Sequence, residues 1–188
     1  MIAHKDEERE ILREGGRRLA QVLRELAKAV EPGVSTDELD RLAERLIREG
    51  GDEPAFLHYT PEGADRPYPA TLCTSINDVI VHGIPNEEPE ILEEGDIIGL
   101  DLGLRHRGLI TDAAVSVIAG EGDTEAKRLV SSTREALEAG IRAIRVGGRI
   151  GDIGAAVAAV AKREKYAMPN ALGGHAVGYH VHALPYIP

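Results

Sequence analysis

Asp96-Ile-Ile-Gly-Leu-Asp101-Leu-Gly-Leu-Arg105-His-Arg-Gly108-Leu-Ile-Thr-Asp112-Ala-Ala-Val-Ser-Val-Ile118 reads as two β-strands joined by a tight turn. Apolar and small residues fill both arms, and Arg105 to Gly108 is the polar cluster between them. Side chains alternate along a strand. Pairing Arg105 with Gly108 sets Asp101 directly opposite Asp112. Asp101 then shares a face with Gly99 and Gly103, and Asp112 with Ala114 and Ser116. The reverse face carries Ile98, Leu100 and Leu102 against Ala113, Val115 and Val117. One side is therefore an apolar surface to be buried, the other a floor of small residues bearing two carboxylates. Like charges opposed on a sheet repel, so the pair calls for a shared proton or a cation. The plainer reading is a solvated face, common in antiparallel sheets.

The totals bound what surrounds this hairpin. A chain of 188 residues makes one domain or two small lobes. With one Phe, five Tyr and no Trp, the core is expected to be aliphatic. Acidic residues outnumber basic ones 32 to 22, for a net charge of −10. That balance argues against a non-specific nucleic-acid or anionic-membrane binder. The lone Cys73 allows no intramolecular disulfide and fits a reducing cytoplasm. The charged start (Lys5 to Arg9) is not expected to be a signal peptide, and no apolar run reaches membrane-spanning length.

Helical spacing of Ile11, Leu12, Leu19, Val22, Leu23, Leu26 and Val30 predicts an amphipathic helix over 6–30, with Gly15-Gly16 as a site of close packing and Pro32-Gly33 as its stop. Ser35-Thr36-Asp37-Glu38 is a capping box for a second helix that ends at Gly50-Gly51. Residues 52–70, with four prolines and one glycine, form a loop of functional length. Residues 71–82 read as strand, turn and strand about Asn77-Asp78. Helices are predicted over 124–146 and 150–165, and a glycine-rich strand over 172–183. A shift of 115 residues lays Val22 on Leu137, Leu26 on Ile141, Gly33 on Gly148 and Asp37 on Asp152. The chain thus reads as two related halves, about 1–120 and 121–188, and the second lacks a counterpart of the hairpin.

Asp101, Asp112 and His175 make an oxygen and nitrogen donor set suited to Mn, Fe, Co, Ni or Zn. Gly173-Gly174 leave space beside His175, although a histidine satisfied within a strand has the same residue pattern. His82, between an apolar strand and Gly83-Ile84-Pro85, fits a site edge or an ordinary loop. His180 and His182 alternate, so one of them faces the site. The other, with His4, His58 and His106, is expected to face solvent. Cys73 fits a pocket wall or a small buried structural position. No serine elbow, Walker loop, dinucleotide fingerprint or paired CxxC is present.

Three stretches together resemble the type I methionine aminopeptidases: Cys73-Thr-Ser-Ile-Asn-Asp-Val-Ile-Val-His-Gly-Ile-Pro85, the aspartates eleven apart, and Gly174-His175 with His182 seven later. The resemblance spans nearly the whole chain. It implies an α+β pita-bread fold of pseudo-twofold halves, the second incomplete, acting as a single catalytic domain over 1–188. It implies metal-dependent removal of the initiator methionine from nascent proteins when the next residue is small. Two divalent ions are implied, with Asp101 a bidentate ligand of one, Asp112 shared by both and His175 on the second. His82 and His182 would contact the peptide and steady the reacting carbonyl. Tyr59, Tyr68 and Cys73 would line the methionine pocket. The implied partner is the N-terminal peptide of nascent chains, at the ribosome, with a cytoplasmic location, no nucleic acid, no membrane, and a monomer unless an open sheet edge pairs two chains.

Departures accompany the resemblance. The family's two further glutamate ligands have no counterpart before Pro188, so the metal site is expected to be incomplete. Ala176 replaces a glycine, and Ala183-Leu184 replace two acidic residues before Pro185. The competing reading is a non-catalytic pita-bread module that binds peptide or protein and has lost its metal site.

Overall fold

The computed structural model describes residues 5–169 and 172–188, so His4 lies outside the described residues. The chain divides into two compact units, Met1–Gly122 with Val177–His182, and Asp123–Ala176 with Ala183–Pro188.

The first unit is built on helix α1 (Asp6–Ala29), helix α2 (Thr36–Glu49) and four antiparallel strands: β1 (Glu53–Pro54), β2 (Leu72–Ile76), β3 (Ile97–His106) and β4 (Leu109–Ile118). β3 is central, flanked by β1 and β2 along one edge and by β4 along the other. The apolar face expected of the hairpin is the buried one. Ile98, Leu100 and Leu102 pack with Leu19, Leu23 and Leu26 of α1 and Leu39, Ala43 and Ile47 of α2. Gly15 lets α1 lie close: a Cβ there would meet Thr111 Cγ2 at 3.3 Å and His106 Cβ at 3.4 Å. The capping box forms, with Glu38 N donating to Ser35 Oγ at 3.1 Å and Ser35 N donating to Glu38 Oε2 at 2.9 Å. Ser35→Ala is expected to lower stability by about 1 kcal/mol, read as a shifted urea midpoint at unchanged slope.

Three local expectations are corrected. The turn is Arg107-Gly108, both with positive φ (48° and 85°), and His106 pairs with Leu109. A two-residue turn with both residues left-handed matches the strand twist and uses the glycine. Asp101 therefore stands opposite Ala114, and Asp112 opposite Gly103. The shift is an even number of residues, so both aspartates keep the expected common face and become diagonal neighbours.

Next, 79–82 is not a strand. Asn77 takes φ 49° at the turn, Val79 N donates to Ile76 O at 2.9 Å, and Thr74 N donates to Gly83 O at 3.0 Å. The return segment meets β2 at Gly83, whose N also donates to Ser75 Oγ at 3.3 Å, and Val79, Ile80 and Val81 are left exposed.

Finally, 172–183 is not one strand. β5 (Gly174–Ala176) pairs with β6 (Ala183–Ile187), and 177–182 leaves the extended conformation at Gly178 (φ 143°) to join the first unit. Alternation therefore says nothing about His180 and His182.

The second unit holds α3 (Thr124–Ala143), α4 (Ile150–Glu164), β5 and β6. α3 packs on α4 and β6 on α4. Both helices fall where the 115-residue shift sets them, but their burial differs. Val22 and Leu26 are buried in the core with the hairpin strands, whereas Leu137 and Ile141 are each 57 % exposed. Among the described residues the second unit has no long hairpin for that stripe to cover.

Candidate active site

The face of the sheet opposite α1 and α2 carries Cys73, Gly99, Asp101, Gly103, Asp112, Ala114 and Ser116, because these residues alternate with the core residues and pair across the strands. Asp101 and Asp112 are half-buried and hydrogen-bonded to each other. Burial first, then the Asp101 charge and that hydrogen bond, push the Asp112 carboxyl up to about 7. Two half-buried carboxylates in hydrogen-bond contact favour sharing a proton over carrying two charges. The face is partly solvated: both aspartates are half-buried, and Ala114 beside them is exposed.

Cys73 stands directly opposite Asp101 on β2. Its thiol is pushed up to about 12 by burial, with a Tyr68 hydrogen bond opposing the shift and the charges of Asp101 and Asp112 adding to it. It is a neutral wall at physiological pH, not a thiolate nucleophile. The Tyr68 hydroxyl lies 3.1 Å from Leu72 O and 2.8 Å from Gly83 O, and burial raises its pKa well above the ordinary tyrosine range.

An apolar cluster covers this end of the floor. Ala55, Phe56, Cys73, Ile110 and Val181 are buried together, with Tyr59 and Tyr68 packed against them. Phe56 lies over Gly103, where a Cβ would stand 2.5 Å from Phe56 Cε1 and 2.8 Å from Cδ1. Residues 177–182 close the cluster: Ile110 N donates to Gly178 O at 2.7 Å, and the Tyr179 hydroxyl donates to Glu8 Oε1 at 2.7 Å. The Tyr59 hydroxyl is 3.0 Å from His182 Nδ1, with the rings 5.4 Å apart.

The structure thus brings together Asp101, Asp112, Cys73 and Tyr68, and joins Tyr59 to His182. His82 is exposed, with φ 61°, at the end of the Val79–Val81 segment. His175 lies on β5 in the second unit, half-buried, with Nδ1 3.2 Å from Ala176 O. Among the described residues no three His, Cys, Asp or Glu side chains gather as a metal-holding group.

His58 and His180 are exposed, as expected, but His106 is not. Its Nδ1 lies 2.7 Å from Oδ1 of the buried Asp52, whose other oxygen is 3.3 Å from Arg18 Nη1. The corrected turn explains this, since His106 is the last paired residue of β3 rather than a turn residue.

Phe56, Ile110 and Val181 escape the sequence reading. The one signal present is that the sole phenylalanine sits in a long loop.

The chain matches metallopeptidase family M24 over residues 10–188. The methionine aminopeptidase of Aquifex aeolicus is 42% identical over 95% of this chain and 69% of its own length. The chain belongs to family M24 and, within it, to the methionine aminopeptidases. Methionine aminopeptidase B of Synechocystis sp. is 39% identical, over 94% of this chain and 64% of its own length. The crystal structure of methionine aminopeptidase from Thermotoga maritima superposes with a TM-score of 0.92 at 33% identity, covering 100% of this chain and 73% of that one. The α+β pita-bread architecture implied by the sequence motifs is therefore the fold of this M24 chain. The family is one of metallopeptidases, which makes divalent metal the expected cofactor. No described helix is long and apolar enough to cross a membrane.

Proposed function

We propose that this chain acts as a single domain in the metal-dependent hydrolysis of the peptide bond after an N-terminal methionine. The observation that carries the reading is the hydrogen-bonded Asp101–Asp112 carboxylate pair set beside the apolar cluster of Phe56, Cys73, Ile110 and Val181. Two carboxylates that retain a proton near pH 7 without a cation are a donor set that a divalent ion fits, since it removes their repulsion. Asp101 and Asp112 would hold the metal through oxygen; an imidazole role for His175 rests on the resemblance of Gly174-His175 to the family motif, and oxygen with nitrogen donors suits Co, Mn, Fe, Zn or Ni. Such ions, when bound, supply Lewis acidity toward the scissile carbonyl and make water acidic enough to attack it near neutral pH.

The protein's own groups do the rest. Cys73, Tyr59 and Tyr68, packed with Phe56 and Val181 in one apolar cluster, would supply a wall without formal charge for an unbranched thioether side chain. The neutral Cys73 thiol keeps that wall uncharged beside the two aspartates. Tyr59 orients the His182 ring, and His182 and His82 offer imidazole donors to the peptide carbonyl. The partner is the N-terminal segment of nascent proteins in the cytoplasm.

The test is methionine release from Met-Ala-Ser by the metal-loaded chain. Release with Mn or Co that stops on chelation and returns on re-addition is the expected result. A second reading, a peptide-binding module without turnover, is favoured by Ala176, Ala183 and Leu184. It predicts peptide binding that metal does not alter and no release, and that outcome would displace the first.

A further inference from the structure

Asp40 is an acidic residue in the middle of a core. It lies on α2, 6 % exposed, and its Oδ1 accepts hydrogen bonds from both Thr71 N and Leu72 N at 2.9 Å. No cation pairs with it among the described residues. Burial raises its pKa while the two backbone donors pull it back. A carboxylate is costly in such a place, and packing alone would be served better by an apolar residue.

One turn earlier on the same face stands Thr36, 2 % exposed. Its hydroxyl donates to Pro85 O at 2.8 Å and accepts from Glu90 N at 3.1 Å. One face of α2 thus holds the chain on both flanks of the candidate pocket. Thr71-Leu72 lead directly into Cys73, and the Tyr68 hydroxyl reaches Leu72 O and Gly83 O. Pro85 comes three positions after His82 and two after Gly83.

We propose that Asp40, aided by Thr36, is a positioning residue for the side-chain pocket: by pinning the start of β2 to α2 it sets the placement of Cys73 and Tyr68 and hence which N-terminal side chain is admitted. This rests on reading the Cys73 cluster as the pocket for that side chain. Asp40 touches no substrate and acts through backbone.

The sole cysteine makes the placement measurable without turnover. Native labelling of Cys73 by N-ethylmaleimide is followed in the full chain, free of metal, alongside urea stability and the affinities for Met-Ala-Ser and Leu-Ala-Ser. Asp40→Ala is expected to label roughly tenfold faster through local opening of β2. Its preference for the Met peptide should fall by roughly tenfold as the pocket loses its shape. Asp40→Asn keeps one oxygen acceptor and should label within about threefold of the parent. Leu23→Ala trims the same core from α1 and leaves the Asp40 hydrogen bonds to Thr71 and Leu72 in place, so at matched stability it should leave labelling unchanged.

Equal acceleration in Leu23→Ala, an unchanged rate in folded Asp40→Ala, or an Asn variant as fast as Ala would each overturn the assignment. Should Asp40→Ala not fold, Asp40→Glu displaces the same carboxylate by one methylene. Its labelling should then rise, and an unchanged rate would count against the proposal. Failure of the parent chain to bind either peptide would remove the pocket reading, and with it the selectivity role, while the labelling still decides whether Asp40 pins β2.

Discussion

Asp112→Asn is expected to stabilise the metal-free chain at pH 8, by on the order of 2 kcal/mol, while abolishing its stabilisation by metal. The Asp112 carboxyl is pushed up to about 7 in the folded chain, against roughly 3.9 for an unfolded aspartate. The folded state therefore holds the proton more tightly. The contribution of neutral Asp112 is full below about pH 4, declines as pH rises, and is gone above about pH 7. Asparagine is neutral throughout and lacks this decline. Urea midpoints from pH 4 to 8 in chelator should fall for the parent chain and stay nearly level for the variant, and parallel curves would refute the shared proton. With Mn or Co the order reverses. The parent gains stability and the variant does not, because a ligand is lost. The loss of affinity should exceed the roughly 10–100-fold seen when only a ligand's supporting partner is changed. Calorimetry showing equal metal affinity in both chains would remove Asp112 from the ligand set.

Gly83→Ala is the second large effect, expected to cost about 3 kcal/mol and to lower methionine release at least roughly 100-fold. A Cβ on Gly83 would overlap the Thr74 carbonyl oxygen, with the Thr74 carbonyl carbon at 2.8 Å and Ser75 Cα at 3.3 Å. All three atoms are backbone of β2, which cannot move without disturbing Cys73 and its pairing with Asp101. Relief by moving residue 83 instead breaks the bond from Thr74 N and the one from the Tyr68 hydroxyl. Either way His82, the preceding residue, is displaced, and an error of about 1 Å in a reacting group is costly. Thermal unfolding and peptide turnover read the two effects, and a variant with the parent's unfolding temperature would show that the segment relaxes freely.

The two predictions draw on parts of the site that were unequally legible. The common face of Asp101 and Asp112 follows from strand alternation, and the motif Cys73–Pro85 marks the segment that carries His82. The overlap at Gly83 does not follow, because nothing local says that 79–83 turns back onto β2 at Gly83. Nor does the cover over the floor: Phe56 reaches Gly103 across 47 positions, and Val181 arrives from a segment that reads as plain strand. His106 looks like a turn residue until the turn conformation is known.

Helix spans, the capping box at Ser35, the buried and carboxylate-bearing faces of the hairpin, and the family motifs are determined by the sequence itself. Periodicity, caps and turn residues act over a few positions, and their physics is complete within them. Tertiary structure alone decides the register set by the left-handed Arg107-Gly108 turn, the apolar cover around Phe56 and Val181, the burial of Asp40 and Asp52, and the shared proton on Asp112. Apart from the register, which the two turn residues set, each of these depends on desolvation or close approach by residues distant in the chain, which no local pattern records.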